Sequence, residues 1–496
     1  MFDKITTTIR RWLSKMGIIK KVKNVSQLKT IPVDDSFYKL IDTWKRLYSG
    51  YLPEFHDVTS KTIDGQKKRK RATLNMAKVV SQELATIVFN EKCAISTSDE
   101  DVTEYIDNVL YNNNFDKTFQ NYLEYQFAMG GMVIKPYVSD DMVKLSYVTA
   151  DSFIPLTFSN KGIYEGVFIN QTSKSDKIYT LLEWHYWENS NYIIKNELYE
   201  SDKTSGELGV KVPLSVMYDI EEEVSISNLK NPLFVYFKPS TANHIDTSSP
   251  LGVSVFAHAM DTLKTLDIAY DSYQREFLLG KRRILVPATA IKTVVDPLTG
   301  ATNRYFDSND EVYEAFNMEQ EKIHDNTVEL RVEEHIAAIN SLLNILAMQI
   351  GFNAGAFSFD GKSGLKTATE VVSENSKTFR TKQSHENVIE AGLIQLVESI
   401  MELTALYDLG DYNISDLKVS IAFDDSIAED KGAEIEKQIN LVLNGLTSRK
   451  RAIKKIHGVT DEEAEEILNE IREEDARSMP EYEQIKSDIT FFGEEE

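Results

Sequence analysis

The segment GFNAGAFSFDGKSGLK, residues 351–366, contains residues of the kind that bind phosphate, because it includes the triplet G-K-S at 361–363. A Walker loop requires G-x-x-x-x-G-K-[ST] after a buried strand, so that successive backbone N–H groups surround the phosphates of a nucleotide. Here the upstream glycine is Gly355, which is one residue too far from Gly361, and the position where the motif requires glycine is occupied by Ala356. The preceding segment has the periodicity of a helix, not of a strand. Spacing and context therefore argue against a nucleotide-binding loop.

Other residue types that carry catalysis are scattered along the chain. The eight histidines form no H-E-x-x-H motif and no pair one helical turn apart, and the single cysteine, Cys93, excludes a cysteine-based zinc site. Acidic pairs occur at 140–141 and 424–425, in turn-like segments where aspartate bonds to the backbone. A two-metal nuclease site at either pair would need converging ligands that the sequence does not indicate. We therefore predict no catalytic residue, no metal site and no cofactor.

Length and composition indicate a globular protein with several domains. The chain has 496 residues, of which 42% are hydrophobic, and its length favours about three domains. No apolar run reaches the roughly 18 residues that span a bilayer, and the basic start of the chain lacks the apolar region of a signal peptide. A single cysteine fits a reducing compartment and is interpreted as a packed, inert residue. These features predict a soluble protein made in a cytoplasm.

The charge is negative and unevenly distributed. A net charge of −23 argues against tight binding of nucleic acid, which depends on neutralising phosphates with Lys and Arg. Residues 1–24 nevertheless contain seven Lys/Arg and one Asp, whereas residues 460–496 contain fifteen Asp/Glu and three Lys/Arg. Apolar residues recur at helical spacing in the first segment: Ile5, Ile9, Trp12 or Leu13, Met16 and Ile19. This stripe is more typical of a short arm that docks on a neighbouring protein surface than of a helix that lies on a membrane.

Periodicity predicts an α+β chain. Helical patterns, one of them entered through the solvated run KKRKR at 67–71, extend to Gly130-Gly131. Residues 132–240 then read as strands, with a hairpin turn at 159–162. A helix follows from Pro250 to Gly280, and then short strands. The next helix carries the apolar stripe Val332, Ile336, Ile339, Leu343, Leu346 and Ile350, with Asn340 and Asn344 off the stripe.

The last third of the chain is predicted to be mainly helical. The capping-box sequence at 367–370 starts a helix of about 40 residues that ends near Gly410. A strand at about 416–423 precedes three shorter helices near 430–446, 448–457 and 461–476, of which the last begins with a second capping box.

This order of elements resembles the portal proteins of tailed double-stranded-DNA bacteriophages, of the type found in long-tailed phages of Gram-positive hosts. Three local sequences strengthen the resemblance: LNMAKVVSQELATIVFNEK (74–92), GGMVIKPYV (130–138) and GAFSFDGKSGLKTATEVVSENSKTFRT (355–381). The resemblance covers nearly the whole chain. It implies an α+β portal fold that assembles as a closed ring, usually of twelve copies, through a head-to-tail interface.

The resemblance also implies a division of the chain. The expected parts are an amino-terminal arm (1–24), a wing (25–250) with a long wing helix (367–409), a stem of two helices (251–280 and 329–351), a clip (281–328), a tunnel loop (352–366), a crown (410–480) and an acidic tail (481–496). The two stem helices cannot form a core alone, so their apolar stripes are expected to be buried against neighbouring subunits.

The glycine-rich segment described first corresponds, in this resemblance, to the tunnel loop (352–366). Glycines provide the backbone freedom to adapt to DNA, Phe357 and Phe359 are expected to pack the loop against its neighbours, and the lysines contact phosphates only weakly. The implied channel residues are Asn353, Gly355, Phe357, Phe359, Gly361, Lys362, Ser363, Gly364 and Lys366. The implied clip interface contains Lys281, Arg282, Arg283 and Arg304. Without the resemblance, an ordinary connection between helices remains an equal alternative.

The implied function is not enzymatic. A portal ring lies at one capsid vertex of the virion, nucleates head assembly and passes double-stranded DNA during packaging and ejection. Its expected partners are terminase, then head–tail connector proteins, with the major capsid and scaffold proteins around it and no membrane. Three alternatives remain: a packaging ATPase (large terminase), supported only by the triplet at 361–363; another structural protein of the head; and a sequence-specific DNA-binding protein.

Overall fold

The computed structural model describes most of the chain. It covers residues 35–62, 65–89, 93–204, 206–280, 283–285, 292–295, 302–305, 324–326, 329–359, 368–412, 417–423, 431–457, 464–465 and 467–472. Only the backbone is described at 35, in the four short ranges between 283 and 326, and at 368–375, 431–434 and 457. The chain divides into two units, residues 1–364 with 375–423, and residues 365–374 with 424–496. The amino-terminal arm and the acidic tail lie outside the described residues.

Five helices form the first part of the larger unit: α1 (Asp35–Tyr48), α2 (Pro53–His56), α3 (Met76–Phe89), α4 (Glu100–Asn112) and α5 (Phe115–Met129). The central one is α5, because Phe119, Leu123 and Phe127 recur every fourth residue and are completely buried. This helix ends at Gly130, with φ at +87°, where an added Cβ would lie 2.5 Å from the carbonyl oxygen of Gly252. The predicted end of the helical region at Gly130-Gly131 is therefore confirmed.

The predicted β-rich region 132–240 is also confirmed. Strands β4 (Met132–Ser139) and β5 (Met142–Thr149) form an antiparallel hairpin, and β12 (Val235–Phe237) adds to β4. The turn between β4 and β5 contains Asp140 and Asp141, both with φ at +55°. Aspartate tolerates this left-handed conformation better than most residues. The acidic pair thus has a structural role in the turn.

A second, six-stranded antiparallel sheet follows along the chain. It contains β6 (Phe153–Ser159), β7 (Gly162–Lys174), β8 (Lys177–Glu188), β9 (Asn191–Asp202), β10 (Val210–Val212) and β11 (Glu223–Ile226). The strand order is β10-β9-β8-β7-β6, and β11 also pairs with β9. Ser159 pairs with Gly162, so the hairpin turn predicted at 159–162 is present.

The prediction for the basic run 67–71 was wrong. Strand β1 (Asp57–Thr62) pairs with β2 (Gly65–Lys70), so most of the run lies in a hairpin and not at a helix entrance. Most of its side chains are exposed. The exceptions are Arg71 and Arg69, which are half-buried. Arg69 pairs with Asp271, a residue 202 positions later in the chain.

Two helices enclose the predicted clip segment, α6 (Met260–Leu279) and α7 (Val332–Ile350). The helix predicted from Pro250 begins ten residues later than expected. Residues 250–256 are irregular, followed by one 3₁₀ turn at Ala257–Ala259. Between α6 and α7 the backbone forms short strands, β13 (Arg283–Leu285) with β16 (His324–Asn326), and β14 (Lys292–Val295) with β15 (Thr302–Tyr305).

The long helix is α8 (Ala368–Leu406), which has 39 residues and matches its prediction. Gly392 on this helix lets the ring of Phe237 approach closely, because an added Cβ would lie 2.4 Å from it. Strand β17 (Val419–Phe423) then pairs with β3 (Cys93–Thr97). In the smaller unit, α9 (Lys431–Leu443) and α10 (Arg449–His457) confirm two more predicted helices, and 467–472 is helical.

Within the described residues, the search for a helix long and apolar enough to cross a membrane finds none.

Candidate functional site

The described part of the glycine-rich loop begins where α7 ends. Gly351 has φ at +89° and caps the helix, and an added Cβ would lie 2.4 Å from Oγ1 of Thr381. Carbonyl groups at the end of a helix lack partners within the helix and carry a partial negative charge. Here Lys377 donates to Met348 O over 2.7 Å, and Thr381 donates to Gly351 O over 2.8 Å.

A third donor completes this cap. Nε2 of His258 lies 2.7 Å from the carbonyl oxygen of Gln349 and donates to it. The end of α7 is therefore held by side chains from α8 and from the segment before α6. The loop consequently starts from a fixed point.

Three asparagines hold the backbone of the loop. Asn344 accepts the N–H group of Gly355 over 2.7 Å, and Asn340 accepts that of Phe359 over 2.8 Å. Asn353 accepts the N–H group of Lys377, and its own N–H group donates to Thr378. Asn340 and Asn344 lie four residues apart on α7, so they present their amides along one line.

This arrangement disfavours a phosphate-binding loop. A Walker loop binds phosphates with free backbone N–H groups. The N–H groups of Gly355 and Phe359 instead donate to side-chain amides. The element before the loop is α7, a helix, where a Walker loop follows a strand.

The two phenylalanines of the loop pack within the chain. Phe357 lies 5.3 Å from Phe352, measured between ring centroids. Phe359 lies 5.6 Å from Tyr273 and 6.2 Å from Tyr270, both on α6. Phe359 therefore packs the loop on α6, whereas Phe357 packs on another residue of the loop.

The structure places part of the predicted channel set. Asn353, Gly355, Phe357 and Phe359 lie in the described first part of the loop. Gly355 has φ at +85° and nothing within 4 Å of an added Cβ, so its conformation, and not its surroundings, favours glycine. The rest of the set, Gly361, Lys362, Ser363, Gly364 and Lys366, lies outside the described residues.

Helix α6 is anchored to the rest of the unit by two buried carboxylates. Asp267 accepts from Nε2 of His56 over 3.1 Å and from the N–H group of Leu74 over 3.0 Å. Asp271 receives both terminal nitrogens of Arg69 at 2.7 Å. This bidentate pair lowers the pKa of Asp271 below its ordinary value.

Sequence analysis did not identify these anchors. His56 was predicted only as one of the scattered histidines, and Arg69 was not distinguished from the other cations of the basic run. Because the partners lie about 200 residues apart, no local spacing indicates them.

An ion pair joins α6 and α7 where the clip segment leaves and returns. Nη2 of Arg331 lies 3.1 Å from Oε2 of Glu276, and Nε2 of His335 lies 3.7 Å from the same oxygen. The Arg331 guanidinium lowers the pKa of Glu276. In the predicted clip interface, Arg283 lies in β13 and Arg304 in β15, whereas Lys281 and Arg282 lie outside the described residues.

Large apolar side chains remain exposed on and beside these two helices. Phe277, Leu278, Leu279 and Met348 are 42%, 63%, 56% and 60% exposed. Further members of this set, here called the exposed apolar set, are Ile268, Leu330 and Ile345. Exposed large apolar side chains grouped on two neighbouring helices are consistent with a protein–protein interface.

A buried polar network lies elsewhere in the unit and links the two sheets. Lys135 on β4 donates to both carboxylate oxygens of Glu183 on β8 over 2.6 Å, and His185 lies 2.7 Å from that carboxylate. Tyr192 lies 2.8 Å from the other nitrogen of His185. Burial lowers the pKa of His185, which favours the neutral ring.

This network satisfies its members with one another, which is typical of a structural role. Among the residues that the structure describes, no group of three His, Cys, Asp or Glu side chains is arranged to bind a metal ion.

Comparison with known proteins gives one family. The family model described as "Phage portal protein, SPP1 Gp6-like" matches residues 28–477. A solved structure titled "Neck of empty GTA particle computed with C6 symmetry" is similar at 10% identity over 77% of this chain and 88% of that chain, with a TM-score of 0.39. A search of curated proteins finds no match. Because the family model covers most of the α+β chain described above, the chain belongs to the family of SPP1 Gp6-like phage portal proteins.

Proposed function

We propose that this protein assembles into a closed ring at one vertex of a phage capsid and that double-stranded DNA passes through its axial channel. Membership of the portal family carries the proposal. The exposed apolar set supports it, since α6 and α7 leave large side chains uncovered in the single chain. In a ring of head-to-tail contacts, the same set would be buried against an adjacent copy.

The division of the chain follows the one that the resemblance implies. Residues 251–280 and 329–351 form the stem, residues 281–328 the clip, and residues 352–366 the tunnel loop. Residues 25–250, with the long helix at 367–409, form the wing, and residues 410–480 form the crown. In support, α6 and α7 are joined at Glu276 and Arg331, so the segment between them leaves and re-enters the body at one place.

The chemistry of the loop suits DNA that moves. Residues 351–359 contain no charged side chain, and the loop's lysines are confined to 362 and 366. Tight DNA binding requires many phosphate contacts from Lys and Arg. A loop with few cations, in a protein of net charge −23, would hold DNA weakly and permit sliding.

The proposed partners are terminase and, after packaging, the head–tail connector proteins, both at the clip residues Arg283 and Arg304 with Lys281 and Arg282. Major capsid and scaffold proteins surround the ring in a role that nucleates the head. The protein has no catalytic activity in this proposal.

Electron microscopy of the purified full-length protein tests the ring directly. The expected class averages show closed rings with a central hole. A persistent monomer, or sheets and shells without a hole, would contradict the proposal. An ATPase assay tests the enzymatic alternative, because hydrolysis that Lys362→Ala abolishes would favour a packaging motor over a portal.

A further inference from the structure

A groove with an apolar floor lies where α3, β3, α4 and α5 meet. Phe89, Ile95 and Phe115 form buried parts of its lining, and Leu110 is half-buried beside them. Its volume is about 940 Å³. A volume of this size accommodates several side chains of a docked segment.

The rim of this groove is acidic. Asp107 and Tyr111 of α4 line the groove. Glu100 and Glu104 precede them on the same face of that helix, and all four side chains are exposed. Tyr111 is 82% exposed, although its ring lies beside an apolar floor. At the start of α5, Asp116 adds a carboxylate to the lining and Lys117 adds one positive charge, so carboxylates outnumber cations along α4 and the groove.

We propose that the segment 5–19 of the same polypeptide docks in this groove as an amphipathic helix. Its apolar stripe (Ile5, Ile9, Trp12 or Leu13, Met16 and Ile19) matches the apolar floor. Its positive charge matches the rim, since residues 1–24 contain seven Lys/Arg and one Asp. The stripe supplies affinity, and the charges select the orientation.

The connection between the segment and the body leads to α1, which packs on α3 and α5, two of the helices that line the groove. The 15 residues from 20 to 34 can span at most about 50 Å when extended. A connection this short gives an effective concentration in the millimolar range, which favours the groove of the same chain over that of a second copy in dilute solution. The docking is therefore independent of ring formation.

Another cavity, beside Glu398 and Glu402 on α8, suits a basic segment less well. The N–H groups of Lys230 and Asn231 both donate to Glu402, and the side-chain amide of Asn231 donates to both carboxylates. These carboxylates already accept hydrogen bonds, and the positive charge of Lys230 offsets part of their negative charge. The rim along α4 is the stronger attractor for a cationic helix.

The single cysteine provides the test, because Cys93 lines the groove. Cysteine is introduced into the stripe as Ile9→Cys or Met16→Cys, and on the opposite helical face as Thr7→Cys or Ser14→Cys. The full-length protein is oxidised with copper phenanthroline at low concentration, and disulfides are located by mass spectrometry. Burial raises the pKa of the Cys93 thiol to about 12 and slows all four reactions equally.

The expected result is a disulfide within one chain that forms at least about tenfold faster from the stripe positions than from the opposite face. Adding Cys93→Ser to each variant should abolish the disulfide within one chain, which makes it the negative control. Equal rates from both faces, or disulfides only between two chains, would overturn the proposal. A further variant combines Cys93→Ser, Ile9→Cys and Ala405→Cys, so that the second cysteine lies at the other cavity. An equally fast disulfide in this variant would also overturn the proposal.

A charge reversal tests the role of the rim. Asp107→Lys, combined with Ile9→Cys, should slow the disulfide severalfold, and Asp219→Lys at an exposed position outside the groove should leave the rate unchanged. Salt at 0.5 M should reduce the difference, because the charges are exposed. A rate that does not respond to Asp107→Lys would refute the electrostatic part of the docking.

Discussion

At the residue scale, two glycines with the same backbone conformation differ in what surrounds them. Gly130 and Gly355 have φ at +87° and +85°. An added Cβ at Gly130 would lie 2.5 Å from the carbonyl oxygen of Gly252, whereas at Gly355 it would meet nothing within 4 Å. The first position is constrained by packing and conformation, and the second by conformation alone.

We therefore expect Gly130→Ala to lower the free energy of unfolding by at least about 3 kcal/mol, because backbone must move to admit the methyl group. Gly355→Ala should cost only about 1 kcal/mol, the usual penalty for a left-handed alanine. Urea titration of both variants measures the difference. Equal losses would show that the close approach to Gly252 is not maintained in solution.

His385 on α8 gives a second prediction at this scale. It is buried against the ring of Phe127, and its Nδ1 accepts the N–H group of Ser240 over 3.2 Å. Burial lowers its pKa to about 4, from 6.5. The unfolded chain therefore binds more protons than the folded one between these two pH values, so stability falls as the pH falls through this window.

Between pH 7.5 and pH 5, this group should remove about 2 kcal/mol of stability. His385→Asn keeps an acceptor near Ser240 but does not titrate, so its stability should depend less on pH over the same range. Thermal unfolding at several pH values compares the two proteins. Since His185 also has a lowered pKa, a residual slope in the variant is expected, but an unchanged slope would be inconsistent with a neutral His385.

At the scale of elements, periodicity predicted the regular parts of the chain. The four-residue repeat of α5, the apolar stripe of α7 and the alternation in 132–240 all identified their elements, since one face of each is buried. The start of α6 was misplaced because Leu251 and Val255 also have helical spacing. The structure places Gly252 against the backbone of Gly130, which a continuous helix would prevent.

Contacts between distant residues left no such pattern. Arg69 pairs with Asp271, so a basic run that looks solvated is in fact part of an anchored hairpin. Asn340 and Asn344 lie off the apolar stripe, and their bonds to the loop depend on how the chain turns after α7. The sequence could therefore predict the position of the loop but not the hydrogen bonds that hold it.

These asparagines give a prediction for the loop as an element. Asn344→Ala and Asn340→Ala each remove the acceptor of one loop N–H group, at a cost of about 1 kcal/mol in the local stability of the loop. Amide hydrogen exchange in 352–359 should quicken severalfold in each variant. Ser341→Ala, at an exposed position of the same helix, is the matched control. Unchanged exchange in both asparagine variants would mean that other contacts hold the loop.

At the scale of the whole molecule, the exposed apolar set is expected to hold the ring together. Met348→Glu and Leu279→Glu place a charge where the proposal buries an apolar side chain, so each should shift the assembly toward monomers. Analytical ultracentrifugation measures the shift. Val210→Glu alters a residue that is 73% exposed on the six-stranded sheet and should leave assembly intact. Rings as stable as those of the parent protein in both stem variants would contradict this interface.

The pairing of Glu276 with Arg331 has a consequence for how such a molecule can diversify. Leu330 also contacts Gly280, where an added Cβ would lie 2.3 Å from its Cδ2 atom, so the two ends of the segment 281–329 are held together. The entropy of closing a loop depends only weakly on its length. The segment between α6 and α7 can therefore be lengthened, shortened or exchanged, in evolution or by design, to fit a different docking protein. The rest of the unit should still fold.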